Sequence, residues 1–275
     1  MPTLTLLEGD NLPILRDMAD GAFNLIYADP PYNTGAPVER VLTRAVPDAA
    51  AGTRGYRGRG YRREPGATTR FDDRFDDYLG FLEPRLREAH RLLADDGSLF
   101  VHLDPRESHY VKVALDTIFG REGFRNEIIW AYDYGGRTRK RWAPKHDTIL
   151  WYTKHPKRYC YRYDAIDRVP YMAPTLVGPE KAARGKTPTD TWWHTIVPTS
   201  GPEKTGYPTQ KPLGLMLRVV RVHSKPGDHL LDFFAGSGSF GEAALREGRD
   251  VTLIDAGPEA LAVMRARLAR WVLPR

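Results

Sequence analysis

The chain has 275 residues, long for one average domain and short for two, which implies one catalytic domain carrying an insertion. Its 41% hydrophobic and 28% charged residues are those of an ordinary soluble globular chain, and no apolar run approaches the roughly 20 residues of a membrane span. The single cysteine, Cys160, excludes an internal disulfide and argues against structural zinc. The first ten residues lack the basic start of a secretory signal, so a cytoplasmic setting is expected.

The formal net charge of +6 is unevenly spread. Residues 36–70 carry +5 and residues 137–168 carry +7, leaving −6 on the rest. Two basic segments on an acidic body suit a polyanionic partner. The second segment also interleaves Trp142, Trp151, Tyr152, Tyr159, Tyr161 and Tyr163, and arginine forks with stacking faces suit nucleic acid.

In chain order, Leu4–Leu7 and Phe23–Ala28 read as short buried strands flanking a helix from Asn11 to about Met18. Residues 36–70 are rich in Gly, Arg and Pro without periodicity, as expected of a mobile functional loop. Leu79, Leu82, Leu86, Ala89 and Leu93 recur at helical spacing, in a helix that Pro84 should kink or divide. A turn at Asp95–Gly97 precedes a strand over 98–103, a helix over 107–118 and strands over 126–132 and 148–153. Residues 155–208 are Pro-, Thr- and Trp-rich and read as an inserted module separating a first part, 1–154, from a last part, 209–275. That last part alternates: helix 212–223, strand 229–234, glycine turn, helix 240–247, strand 251–254, helix 258–271. The pattern predicts an α/β fold with a mostly parallel sheet between helices.

Leu230–Phe234 run into Ala235-Gly236-Ser237-Gly238-Ser239-Phe240-Gly241. Glycines let a ligand lie against the backbone, and the helix start offers free N–H groups. Asp255 ends the next strand 19 residues after Gly236, where a carboxylate can take both ribose hydroxyls. Literally this is a dinucleotide pattern, so a nicotinamide-dependent oxidoreductase has to be weighed. Only 34 residues follow Gly241, too few to complete such a sheet downstream.

The other notable element is Asp29-Pro30-Pro31-Tyr32 at a strand end. Two prolines stiffen the turn and leave carbonyls as acceptors, so the Asp29 carboxylate beside a rigid carbonyl forms a two-acceptor clamp for an amino group. Tyr32 adds a face on which a base could stack.

Together with Tyr207-Pro208-Thr209-Gln210-Lys211-Pro212, these motifs resemble the beta arrangement of amino-methylating DNA methyltransferases. In that arrangement the catalytic motif precedes the cofactor motif and the target-recognition region lies between them. The resemblance spans nearly the whole chain, with Phe233 where the family usually has Pro and Ser239 where it usually has Thr. It implies a Rossmann-like, circularly permuted fold, S-adenosyl-L-methionine as cofactor and double-stranded DNA as substrate. A homodimer and a cognate restriction enzyme are the further partners it suggests.

Carried over by position, the resemblance assigns catalysis to Asp29, Pro30, Pro31 and Tyr32. It places the cofactor's methionine part in the turn Asp232, Phe234, Ala235, Gly236, Ser237 and Gly238, its ribose on Asp255, and Asp29 among the cofactor-binding residues as well. Its adenine falls near Asp10 and its carboxylate near Thr209, Gln210 and Lys211. Phosphate contacts are expected from Arg57, Arg59, Arg62 and Arg63, and from Arg137, Arg139, Lys140 and Arg141; the module 155–208, with Trp192, Trp193 and His194, is expected to read sequence, packing against the sheet being the alternative for the two tryptophans. No metal is expected. The aspartate at position 29 favours adenine-N6 over cytosine-N4 as the target; RNA as substrate and a catalytically silent binding module are further alternatives.

Overall fold

The structure, a computed structural model, describes residues 2–36, 38–48, 61–71, 73–198 and 201–272. Strand β1 (Leu4–Glu8) leads into helix α1 (Asn11–Arg16), whose cap, Asp10, accepts from the Leu12 N–H at 3.1 Å. After β2 (Phe23–Ala28) come β3 (Val38–Pro47) and β4 (Tyr61–Phe71). These two pair antiparallel as a ribbon separate from the main sheet, which corrects the irregular loop expected over 36–70 for the strand residues; 37 and 49–60 lie outside the described residues. Val38, Val41, Thr43 and Val46 on β3 and Thr68 and Thr69 on β4 supply strand propensity, and the breaker Pro65, opposite Thr43, is absorbed where the register shifts between Val41 and Thr43.

Helix α2 (Tyr78–Leu92) runs through Pro84 as a single element, so of the two expected effects the proline does not have the second, division. The proline deprives the Gly80 carbonyl of its partner, but Gly80 is exposed and water can serve it. Leu82, Leu86 and Ala89, all fully buried, hold the helix on the sheet. Strand β5 (Leu93–Leu103) takes up Asp95–Gly97 as a register irregularity against β2 instead of a free turn.

Helix α3 (Ser108–Phe119), β6 (Phe124–Ala131) and β7 (His146–Thr153) follow, then α4 (Pro179–Arg184) and β8 (Thr191–Trp193). The last part is α5 (Leu213–His223), β9 (His229–Asp232), α6 (Ser239–Arg246), β10 (Asp250–Asp255) and α7 (Pro258–Val272).

The main sheet has the order β1-β10-β9-β2-β5-β7-β6-β8, and β7 alone runs against its neighbours. Helices cover both faces. On one, Leu25, Tyr27, Phe100 and Leu230 pack with residues of α5, α6 and α7; on the other, Ile26, Leu99, Val101 and Phe233 pack with residues of α1, α2 and α3. Burial on both faces explains why the central strands are nearly continuous apolar runs. The 155–208 segment contributes β8 to the sheet edge and buries Trp192 in the core. Among the described residues no helix is long and apolar enough to cross a membrane.

Candidate active site

Five parallel strands, β1, β10, β9, β2 and β5, end on one rim, where loops of an open α/β sheet hold ligands. The residues after four of them line one cavity of about 610 Å³: Gly9 to Asn11 after β1, Asp255 to Gly257 on β10, Asp232 to Ser237 on β9 and Asp29 to Tyr32 after β2. Tyr207, Thr209, Gln210 and Lys211 close it. The Asp29 motif and the glycine turn, about 200 residues apart in sequence, therefore share a wall because β2 and β9 are hydrogen-bonded neighbours.

Asp29 is held from two sides: its Oδ2 accepts from Lys211 Nζ at 2.5 Å and its Oδ1 from the Tyr32 hydroxyl at 3.0 Å. Burial, and then the Asp29 charge, push the Tyr32 hydroxyl far above its ordinary range, so it remains a donor. The turn itself is locked from behind. Tyr78 donates to the Pro31 carbonyl at 2.7 Å, and the buried Asp73 accepts from the Asn33 and Thr34 backbone at 2.7 and 3.0 Å.

The glycine turn is equally tied. Asp255 accepts from the Gly236 N–H through one oxygen and from the Gly257 N–H through the other, each at 2.8 Å, so a ribose would have to use the remaining lone pairs. Burial raises the Asp255 carboxyl despite these bonds. The buried Asp232 is raised further: burial dominates and the Asp29 and Asp255 charges add to it, against the Phe234 N–H at 3.0 Å and the Lys211 charge. Gly236 (φ 49°) lies under the Tyr207 ring, where a Cβ would come within 3.1 Å of Cε1.

Several expected residues have other contacts. Asp10 lines the cavity but also pairs with Arg85 at 2.8 Å. Gln210 braces its own turn, accepting from the Thr205 N–H and hydroxyl and donating to the Glu203 carbonyl. Lys211 faces Asp29 instead of standing open to a carboxylate. Gly238 is not on the cavity wall. It is the left-handed cap of α6 (φ 71°), packed against Met264.

Trp192 is buried, donating to the Thr189 carbonyl at 2.9 Å, and so takes the packing alternative in place of reading sequence, whereas Trp193 is exposed. Arg62 is exposed and pairs with Glu64 at 2.6 Å; Arg63 lies on β4 opposite Ala45; Arg57 and Arg59 lie outside the described residues. Arg137, Arg139, Lys140 and Arg141 are exposed on the β6–β7 loop. Among the described residues no cluster of His, Cys, Asp or Glu could hold a metal ion.

Sequence reasoning missed Asp73 and Arg85, which support the site through distant partners that no local pattern announces, and named Tyr207 in a motif without giving it a role. Arg85 bonds Asn11 Oδ1 at 2.6 Å, and Asn11 in turn donates to the Phe233 carbonyl at 2.5 Å. A second cavity of about 470 Å³ shares Tyr32 and Lys211 with the first and reaches Asp104, Trp130, Tyr132, Pro144, His146 and Asp147. Beneath it Tyr27 bonds His102 Nδ1 at 2.6 Å, and His102 Nε2 faces Asp147 at 3.2 Å.

Residues 23–265 match the family described as DNA methylase, acting at N6 or N4. The chain belongs to the N6/N4 DNA methylase family. This methylase is 29% identical over 264 residues to the type II methyltransferase M.HpaI of Haemophilus parainfluenzae, covering 96% of this chain and 73% of that one. It is 25% identical over 277 residues to the DNA adenine methyltransferase YhdJ of Escherichia coli, covering 96% and 82%. Its fold matches the structure of an M1.HpyAVI–SAM complex (TM-score 0.63, 18% identity, 97% and 99% covered) and that of the cytosine-N4-specific PvuII methyltransferase (TM-score 0.65, 15% identity, 100% and 88% covered).

Proposed function

We propose that this methylase transfers a methyl group from S-adenosyl-L-methionine to the N6 amino group of adenine in double-stranded DNA. The observation that carries the cofactor is the charge of the first cavity: six carboxyl groups and two cations line it, so negative charge remains in excess even with the buried Asp232 protonated. Such a wall attracts a sulfonium and an ammonium and repels a pyrophosphate, which disfavours a dinucleotide despite the glycine pattern. The cofactor supplies an electrophilic methyl carbon bound to sulfur.

The chain's residues do the rest. A duplex hides the amino group, so the adenine is flipped out of the stack, and the second cavity beside Tyr32 has the room and the aromatic walls for it. Tyr32 stacks on the base. Asp29 and the Pro30 carbonyl accept the two amino hydrogens, which localises the nitrogen lone pair and turns it toward the first cavity. As the nitrogen takes the methyl group, the methyl–sulfur bond would break with its electron pair left on a neutral thioether, and one amino proton would leave along its hydrogen bond to Asp29; catalysis is then positional and electrostatic. Lys211 and the Tyr32 hydroxyl hold the Asp29 carboxyl group in place and aimed.

The ribbon of β3 and β4 and the β6–β7 loop are the phosphate-contacting surfaces, with Arg62, Arg63, Arg137, Arg139, Lys140 and Arg141. The region 155–208 is the target-recognition part between catalytic parts 1–154 and 209–275. A cognate restriction enzyme as partner, for which the type II names of this chain's relatives speak, and a homodimer as the assembly complete the proposal.

Asp29→Ala should cost at least about a hundredfold in methyl transfer while S-adenosyl-L-methionine still raises the melting temperature. Near-parental turnover in that variant sinks the assignment. The likeness to the cytosine-N4-specific fold makes N4-methylcytosine the second reading, and analysis of the modified base separates the two.

A further inference from the structure

The β6–β7 connection leaves the sheet on the same rim as Asp29, because β6 runs parallel to β5 and β7 returns against both. Its base is fixed: the Tyr132 N–H donates to the Lys145 carbonyl at 3.0 Å, and Lys145 Nζ bonds the Tyr134 and Gly136 carbonyls, each at 3.0 Å. Its far part is free. Trp142 is 97% exposed, and the side chains of Arg139 and Arg141 have no anionic partner among the described residues. Two residues beyond Trp142, Pro144 lines the second cavity next to Tyr132 and His146. Two residues of chain span at most about 7 Å, close to two base-pair steps of a duplex.

We propose that Trp142 is the wedge that enters the duplex at the vacated position when the target base turns into the second cavity, an inference that rests on the function proposed above. A flipped base leaves unstacked neighbours on both sides, and an indole replaces the missing stacking face. Arg139 and Arg141 bring the loop onto the flanking phosphates. The loop's clipped base keeps the indole next to the cavity mouth, so the hole and the pocket are served from one element. Exposure of so large an apolar group, with cations around it and nothing packed on it, is what such a wedge requires before it meets DNA.

The test compares two duplexes carrying the target site, which is read beforehand by sequencing modified bases in DNA from cells expressing the parent protein. In one duplex the target is fully paired; in the other the nucleotide opposite it lacks its base, so flipping breaks no pair. Trp142→Ala is expected to lower single-turnover methylation of the paired duplex on the order of tenfold, while the abasic duplex is methylated at close to the parental rate. Trp142→Phe should recover most of the loss, and thermal stabilisation by S-adenosyl-L-methionine should be unchanged in both variants. Equal rates for parent and Trp142→Ala on the paired duplex overturn the proposal. So does an equal loss on both duplexes, which marks the indole as an ordinary contact, or a change of oligomeric state in Trp142→Ala without duplex discrimination, which marks it as a contact between copies. A parent protein that methylates neither duplex refutes the proposed function itself, a result distinct from all of these.

Discussion

Lys211 Nζ and Asp29 Oδ2 lie 2.5 Å apart although 182 residues separate them in the chain. Both side chains are largely buried, 8% and 16% exposed, so water does little for either charge. Removing one partner leaves the other uncompensated, which for buried pairs costs about 3–5 kcal/mol. Lys211→Met should therefore lower unfolding stability by several kcal/mol, and adding Asp29→Asn to it should recover a substantial part. Chemical denaturation of the parent, the two single variants and the double variant measures that coupling. Strictly additive losses would show that the pairing carries no energy.

Asp232 makes the stability of this methylase depend on pH. Burial, helped by Asp29 and Asp255, raises its folded carboxyl far above the unfolded value of about 3.9. The folded state thus holds a proton that the unfolded chain has already released. The contribution is fully present below about pH 4 and declines as pH rises toward the folded value. Asp232→Asn keeps an oxygen for the Phe234 N–H but cannot ionise. The melting temperature of Asp232→Asn minus that of the parent should be near zero at about pH 4 and grow steadily by about pH 8, at about 2–4 °C per kcal/mol. A difference that stays flat with pH rules out this origin.

The parts of the site legible in the sequence are those made by local pattern. Leu230–Asp232 running into Gly236 and Gly238, and Phe23–Ala28 running into Asp29 and the prolines, each announce a strand and the turn after it, and parallel pairing of β2 with β9 brings them together. What was not legible depends on distant partners. Nothing near Lys211 points to Asp29, nothing in the acidic run around Asp73 points to the Asn33 backbone, and nothing near Arg85 points to Asn11. The ribbon of β3 and β4 was hidden because Gly and Pro content outweighs a weak strand pattern when its pairing partner is unknown. Trp192 and Trp193 show the same limit, since adjacent strand residues face opposite ways and only the pairing decides which is buried.

Gly238 offers a test of the turn that is independent of catalysis. Its φ of 71° is left-handed, and an added Cβ would meet Met264 Cγ of α7 at 2.9 Å. Gly238→Ala should lose about 1–3 kcal/mol, from backbone strain and from forcing α7 away from α6. Gly227 is a control, being also left-handed (φ 88°) but with open space around a Cβ. Gly227→Ala should therefore show only the smaller backbone part, and equal losses in the two variants would remove the packing explanation.

The basic β6–β7 loop makes a quantitative demand on DNA binding. Arg139 and Arg141 are exposed and have no ion-pair partner among the described residues, so replacing them removes no internal salt bridge and should leave the fold unchanged. Arg137 differs, lying 3.9 Å from Asp133, and Arg62 is already engaged with Glu64. Every phosphate left without its arginine should reduce the slope of log affinity against log salt by about 0.9. The Arg139→Ala, Arg141→Ala double variant should thus bind duplex DNA more weakly at low salt and with a slope shallower by about 2. Arg62→Ala should change it less, because its guanidinium is partly neutralised before DNA arrives. Fluorescence anisotropy with a labelled duplex over a salt series reads both slopes, and an unchanged slope in the double variant would remove this loop from the phosphate-contacting surface.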